Sequence, residues 1–216
     1  MSARDEILER VRKATVDLRE TEAEVEWVYN QPTPMEDVLD VFEENILDYK
    51  AWIQRATAAH VPEAIVTALR ELGASSVVVP DGIDPAWVEG LERAEMTIVR
   101  DDPPLSHEQL NEIDAVLTGC AVAGADSGTI CLDHAPDQGR RALTLVPDRH
   151  ICVVRAEDVV SDIPEVVTRL KPAAVAGNPI TWISGGSATS DIELSRVEGV
   201  HGPRQLFVIL QESDHT

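Results

Sequence analysis

Positions 2–26 place Ile7, Leu8, Val11, Thr15 and Leu18 at helical spacing, one apolar stripe in a charged segment. The stretch Tyr29-Asn30-Gln31-Pro32-Thr33-Pro34 breaks that period with two prolines among polar residues. A second helix is predicted from Met35 to Ala59, because Met35, Val38, Leu39, Phe42, Ile46, Tyr49 and Ile53 line one face. Together these segments predict a helical extension over residues 1–60, packed as an arm or lid on the remainder. From residue 62 the pattern becomes an alternation. Helices are predicted at 62–73, 84–94 and 106–112, and strands at 75–80, 96–101 and 115–120. Gly73 suits the left-handed residue that ends a helix. Strand and helix in alternation imply a parallel sheet covered on both faces, here an α/β domain over residues 61–216.

The second half predicts short strands in quick succession, at 115–123, 127–133, 142–147, 150–155 and 205–211. Pro147-Asp148-Arg149 has the chemistry of a hairpin turn between the third and fourth of these. A helix is predicted at about 157–170, followed by a strand end at Trp182-Ile183-Ser184.

Composition narrows the classes. At 44% hydrophobic and only 4% aromatic, the 216-residue chain builds its core from aliphatic side chains. No apolar run approaches the roughly 18–20 residues that span a bilayer, and the charged N-terminus is unlike a signal peptide. These features predict a soluble, cytoplasmic protein. Asp and Glu number 39 against 18 Lys and Arg, a net charge of −21, and the lysines are only Lys13, Lys50 and Lys171. Such a surface repels phosphates and disfavours nucleic-acid binding. Its self-repulsion is relieved by salt, which points to adaptation to a salty cytoplasm. Cys120, Cys131 and Cys152 lie in apolar, strand-like sequence with no Cys-x-x-Cys, so no zinc or cluster spacing is present.

Two glycine loops carry the candidate chemistry. In the first, Gly124-Ala125-Asp126-Ser127-Gly128-Thr129, glycine permits close backbone approach while Ser127 and Thr129 offer hydroxyls to a ligand. The same residues also make ordinary turn material, with Asp126 and Ser127 bonding their own backbone. In the second, Gly185-Gly186-Ser187-Ala188-Thr189 runs towards Ser190-Asp191-Ile192-Glu193, which matches a helix capping box. A glycine turn entering a helix N-terminus suits an anion, although Asp191 and Glu193 repel one if they face it. No Lys-Ser/Thr completes a phosphate-binding loop, and Thr189 stands where a nucleophile elbow needs its second glycine. His201, between Gly199 and Gly202, is the side chain best placed for proton chemistry, with His150 and Arg141 behind it. The remaining histidines (His60, His107, His134 and His215) form no ligand spacing, so no metal is predicted.

Taken in order, ADSGTICL, RALTLVPDRHICVV and ISGGSATSDIELSRVEGVHGPRQLFVIL resemble the LUD-domain family, and within it the branch serving lactate utilization. The resemblance is dense over residues 115–211. It implies a three-layer α/β/α sandwich similar to the fold of ribose-5-phosphate isomerase, glucosamine-6-phosphate deaminase and the CoA transferases. It also implies a subunit that binds no cofactor itself. Two iron–sulfur lactate-utilization partner proteins would share the oxidation of L-lactate to pyruvate. Gly185, Ser187, Thr189, Asp191, Glu193, Gly199, His201, Gly202 and Pro203 match the family pattern. Gly186, Ala188 and Ser190 stand where the family usually has proline, arginine and alanine, and the lost guanidinium weakens an anion contact there. Two other readings remain open: a free-standing enzyme acting on a sugar phosphate or CoA ester, and a scaffold without chemistry of its own. The fold resemblance predicts that both glycine loops lie at strand ends around one cleft.

Overall fold

A computed structural model describes residues 2–15, 32–189, 197–199 and 201–212. The β-branched runs found in the sequence form its centre. Helix α1 (Ala3–Thr15) has no buried residue; α2 (Val38–Asp48) buries Phe42 and Ile46. Then come β1 (Trp52–Thr57), α3 (Val61–Glu71), β2 (Ser76–Val79), α4 (Pro85–Arg93) and β3 (Thr97–Arg100). Helix α5 (His107–Asn111), β4 (Ala115–Thr118), β5 (Val122–Gly124), β6 (Thr129–Leu132) and β7 (Arg149–Arg155) follow. The chain ends with β8 (Val159–Val160), α6 (Ile163–Val175), β9 (Thr181–Ile183), β10 (Ala188–Thr189), β11 (Val197–Glu198) and β12 (Gln205–Glu212).

Six strands make one parallel sheet in the order β1-β12-β7-β4-β2-β3. A parallel sheet needs both faces covered, and its strands are accordingly apolar on both. Helices α3 and α4 pack on one face, where Ile65, Leu69 and Leu91 meet Leu117, Ile151, Val153 and Ile209. The other face carries Cys152, Val154, Val208 and Leu210, which pack with Phe42 and Ile46 of α2 and Ile130 and Leu132 of β6. Those last residues come from a smaller sheet, β8-β5-β6-β9, backed by α6 through Val166 and Leu170. The architecture is the expected α/β/α sandwich, with a second sheet inserted into one of its covering layers.

Four elements depart from the expected pattern. The second helix stops at Asp48 rather than Ala59, and Trp52–Thr57 is the edge strand β1, in register with Phe207–Glu212. Residues 38–57 therefore belong to the α/β body rather than to a helical extension. The helix ends in a Schellman turn: Ala51 N–H donates to Ile46 O, Lys50 N–H donates to Leu47 O, and Lys50 takes φ +60°. A lysine stands where glycine usually signals that ending. The predicted strand 142–147, and with it the hairpin at Pro147, is instead a 3-10 turn over Arg141–Thr144. Arg140 fixes its start by pairing twice with Asp101 (2.6 and 2.9 Å), and Leu143 drops into the cluster of Val78, Leu110 and Val116. The run 115–123 is broken at Gly119-Cys120, so β4 joins the large sheet and β5 the small one. The predicted helix 157–170 begins only after the Asp162 cap, and 159–160 is strand. Residues 16–26 of the first predicted helix and the capping box at 190–193 lie outside the described residues.

Candidate functional site

A cleft of about 250 Å³ opens at the amino-terminal ends of β7 and β12. Its floor is His150 and Leu206, the second residues of β7 and β12. One wall is β9 with the following Ser184-Gly185-Gly186-Ser187; the other is Thr144 and Leu145; Gly202 and Pro203 close the top with His201.

Local packing explains why the second glycine loop has its composition. Gly186 lies so close to Arg204 that a Cβ there would sit 2.3 Å from the Arg204 carbonyl oxygen. Gly185, at φ +82°, abuts the Cβ of Tyr49. Ser187 is a clamp between segments. Its N–H donates to Pro203 O (2.8 Å), its carbonyl accepts from Gly199 N–H (2.9 Å), and its Oγ accepts from His201 N–H (3.0 Å). That hydroxyl accepts from the His201 backbone, and among the described residues no side-chain base is hydrogen-bonded to it, so it is not activated as a nucleophile. Ser187 instead fixes where His201 begins.

The first glycine loop meets the second at one point. Thr129 Oγ1 and Ser184 Oγ are 2.8 Å apart, a consequence of the antiparallel register that sets Ile130 beside Ile183. The rest of the loop faces away from the cavity. Asn45 Nδ2 donates to Ala125 O (2.8 Å), Asp126 N–H donates to Ser161 O (3.1 Å), and a Cβ on Gly128 would overlap the Asn45 backbone. Asp126 is exposed; the Ser127 hydroxyl is buried with no hydrogen-bond partner among the described residues. Ser184–Ser187, His201 and Gly202 thus line the cleft, Thr129 supports it from behind, and Asp126, Ser127 and Gly128 stand outside it. Thr189 lies in β10, paired with Val197, and Asp191 and Glu193 are outside the described residues.

The two histidines on the cleft differ in kind. His150 is 1% exposed, and its Nε2 shares a 2.7 Å hydrogen bond with Thr118 Oγ1. His201 is exposed and, among the described residues, is tied by its backbone N–H to Ser187. Arg141 is exposed on the 3-10 turn and does not line the cavity. Arg204, at the rim, is held by Asp148 through two hydrogen bonds of 3.0 and 2.8 Å. Thr144 and Trp182 are lining residues absent from the sequence-based set. No sequence signal marks Thr144, since its segment reads as strand, whereas an exposed Trp182 on an edge strand was visible as a tryptophan but not as exposed. His134 is a structural residue: its ring nitrogens bond Gly139 O (2.8 Å) and Thr181 Oγ1 (2.9 Å).

The cleft therefore offers hydroxyls, two imidazoles and an indole, with no lysine or arginine among the described lining residues. Hydroxyls and imidazoles of this kind can hydrogen-bond a small polar molecule. Among the described residues, no three His, Cys, Asp or Glu side chains converge as metal ligands, and no helix is long and apolar enough to cross a membrane.

The LUD domain profile matches residues 11–211, which includes every element that builds the cleft. The chain belongs to the LUD domain family. A relative from Deinococcus radiodurans, named Lactate utilization protein C, is 52% identical over 184 residues, covering 84% of each chain. The Lactate utilization protein C of Geobacillus kaustophilus is 28% identical over 81% of this LUD-domain chain and 78% of its own. A crystal structure of a DUF162 family protein from Deinococcus radiodurans superposes with a TM-score of 0.71 at 47% identity, covering 83% of this chain and 99% of that one. The ordered motifs at 125–132, 141–154 and 183–210 identified the same family from the sequence.

Proposed function

We propose that this LUD-domain protein is a subunit of a lactate-utilization system, acting with two iron–sulfur partner proteins in the oxidation of L-lactate to pyruvate. The observation that carries the reading is the 52% identity to Lactate utilization protein C over 84% of both chains. The cleft supports it, because a hydroxy acid offers the hydroxyl and carboxylate that Ser184, Thr144 and the two imidazoles can engage. Oxidising lactate removes two electrons and two protons, one of them from the C2 hydroxyl. His201, exposed at the mouth, is assigned as the acceptor of that hydroxyl proton. Electron transfer is assigned to clusters on the partners, since Cys131 packs in a cluster of side chains separate from that of Cys120 and Cys152. Affinity purification of the tagged chain from its native cytoplasm tests the association. Two co-purifying proteins carrying iron and acid-labile sulfide are expected. A chain recovered alone that turns over a sugar phosphate or CoA ester would replace this reading with that of a free-standing enzyme.

A further inference from the structure

The fold brings two of the three cysteines together between two openings of the molecule. Cys152 lies on β7 two residues beyond His150, so both side chains project from the same face of the sheet. Thr118 is the register partner of Cys152 on β4, and Cys120 follows it by two residues. Cys152 Sγ is 3.6 Å from Gly119 O, the carbonyl adjoining Cys120, and 3.8 Å from Thr118 Oγ1. Cys120 and Cys152 share one buried cluster, Cys152 touches the carbonyl of the residue adjoining Cys120, and both thiols are free.

Neither sulfur is sealed off from groups that move protons. On one side His150, bonded to Thr118, lines the cleft described above. On the other, a second cavity lies at the carboxyl ends of the strands and is lined by Gly82, Asp137 and Arg155. The Asp137 carboxylate lies over Gly119, close enough that a Cβ on that glycine would fall 2.3 Å from Oδ2. Partial burial pushes the Asp137 carboxyl up despite Arg155, and does the same to Asp158. The hydrogen bond from Cys120 lowers Cys152 against the cost of burial, with His150 adding to the effect, while Cys120 itself is raised. Cys131 differs: it faces Val122, Val166 and Leu170, and burial pushes its thiol up to about 12.

We infer that Cys120 and Cys152 form a two-electron redox site, a buried dithiol that closes to a disulfide when a small peroxide reaches it. The Cys152 sulfur attacks one oxygen of hydrogen peroxide, breaking the O–O bond and releasing hydroxide. The Cys120 sulfur then attacks the resulting sulfenic acid, forming the S–S bond and expelling a second hydroxide. The protons of the two thiols convert both hydroxides to water. His150 on one side and the Asp137 carboxyl on the other are the routes by which those protons leave. This site is independent of the lactate reading and stands or falls without it.

The test uses the purified full chain, treated with hydrogen peroxide in native buffer, then unfolded and alkylated. The expected result is loss of two of the three alkylatable thiols, a cross-linked peptide pair containing Cys120 and Cys152, and an alkylated Cys131. Dithiothreitol restores all three. Cys131→Ala leaves the two-thiol loss unchanged. Cys152→Ser slows oxidation of Cys120 about tenfold or more, because the thiolate partner is gone. Three thiols that all survive peroxide, a cross-link involving Cys131, or oxidation of Cys120 at an unchanged rate in Cys152→Ser would each overturn the inference. If Cys152→Ser fails to fold, peptide mapping of the unaltered chain decides the matter alone.

Discussion

At the scale of single residues, the cleft separates side chains that hold the loop from one that is free to act. His201 is exposed, and among the described residues its hydrogen bond is the backbone N–H to Ser187, so its ring is expected to contribute little to folding. His201→Ala is therefore expected to lower lactate-dependent turnover of the assembled system about 100-fold. Its thermal unfolding midpoint should stay within about 2 °C of the parent, equivalent to a surface change of about 0.5 kcal/mol. Comparable losses in both measurements would make His201 structural. Thr129 behaves oppositely: it is 5% exposed and bonded to Ser184. Thr129→Val should cost about 1 kcal/mol of stability, read from denaturant unfolding, with turnover reduced less than in His201→Ala. Asp114 gives the clearest pH signature. Against the cost of partial burial, the amides and hydroxyls of Ser75 and Ser76 lower its carboxyl to about 2. A depressed carboxyl stabilises the fold above its unfolded pKa and loses that contribution as pH falls through its folded value. Asp114→Asn should thus destabilise by about 1–2 kcal/mol at neutral pH, the figure allowing for solvent screening of a partly exposed group. The difference from the parent should fade between about pH 4 and 2, measured by urea unfolding across that range.

At the scale of elements, chain endings decide where sequence patterns succeed. Helices α3 and α6 close in the same hydrogen-bonding pattern, with Gly73 and Gly177 in the left-handed position, and the ending of α3 at Gly73 was legible. Helix α2 uses that turn with Lys50, so the helical spacing of Tyr49 and Ile53 carries the pattern across a boundary that no glycine marks. Lys50→Gly should consequently raise stability by about 1 kcal/mol, seen as a higher midpoint in denaturant. An unchanged or lower midpoint would mean that Lys50 makes compensating contacts. The central strands of the parallel sheet were legible because, buried on both faces, they read as short apolar runs, as in Ser76–Val79 and Ala115–Thr118. The segment 142–147 has the same composition yet folds as a 3-10 turn, because the long-range pair Arg140–Asp101 fixes its entry. A contact across 39 residues leaves no local pattern to read. For the same reason the glycine loops were found but their division of labour was not. The register between β6 and β9 decides that Thr129 touches Ser184 while Asp126 turns outward.

At the scale of the whole molecule, two properties belong to no single element. The net charge of −21 opposes compaction wherever counterions are scarce. The unfolding midpoint should rise steadily as KCl is increased from about 0.1 to 3 M, and a midpoint indifferent to salt would refute adaptation to a salty interior. The second property is the place of the cleft, at the amino ends of β7 and β12, beneath loops from three separate parts of the chain. Such a site is complete only when the LUD domain is folded, and in the proposed role it is productive only within an assembly. Reconstitution tests that most directly: L-lactate-dependent reduction of an acceptor dye, measured with this chain, with the two proposed iron–sulfur partners, and with all three together. The account predicts reduction by the complete set alone, at a rate that falls when His201→Ala replaces the parent chain. Full activity from the two partners without this chain would contradict it.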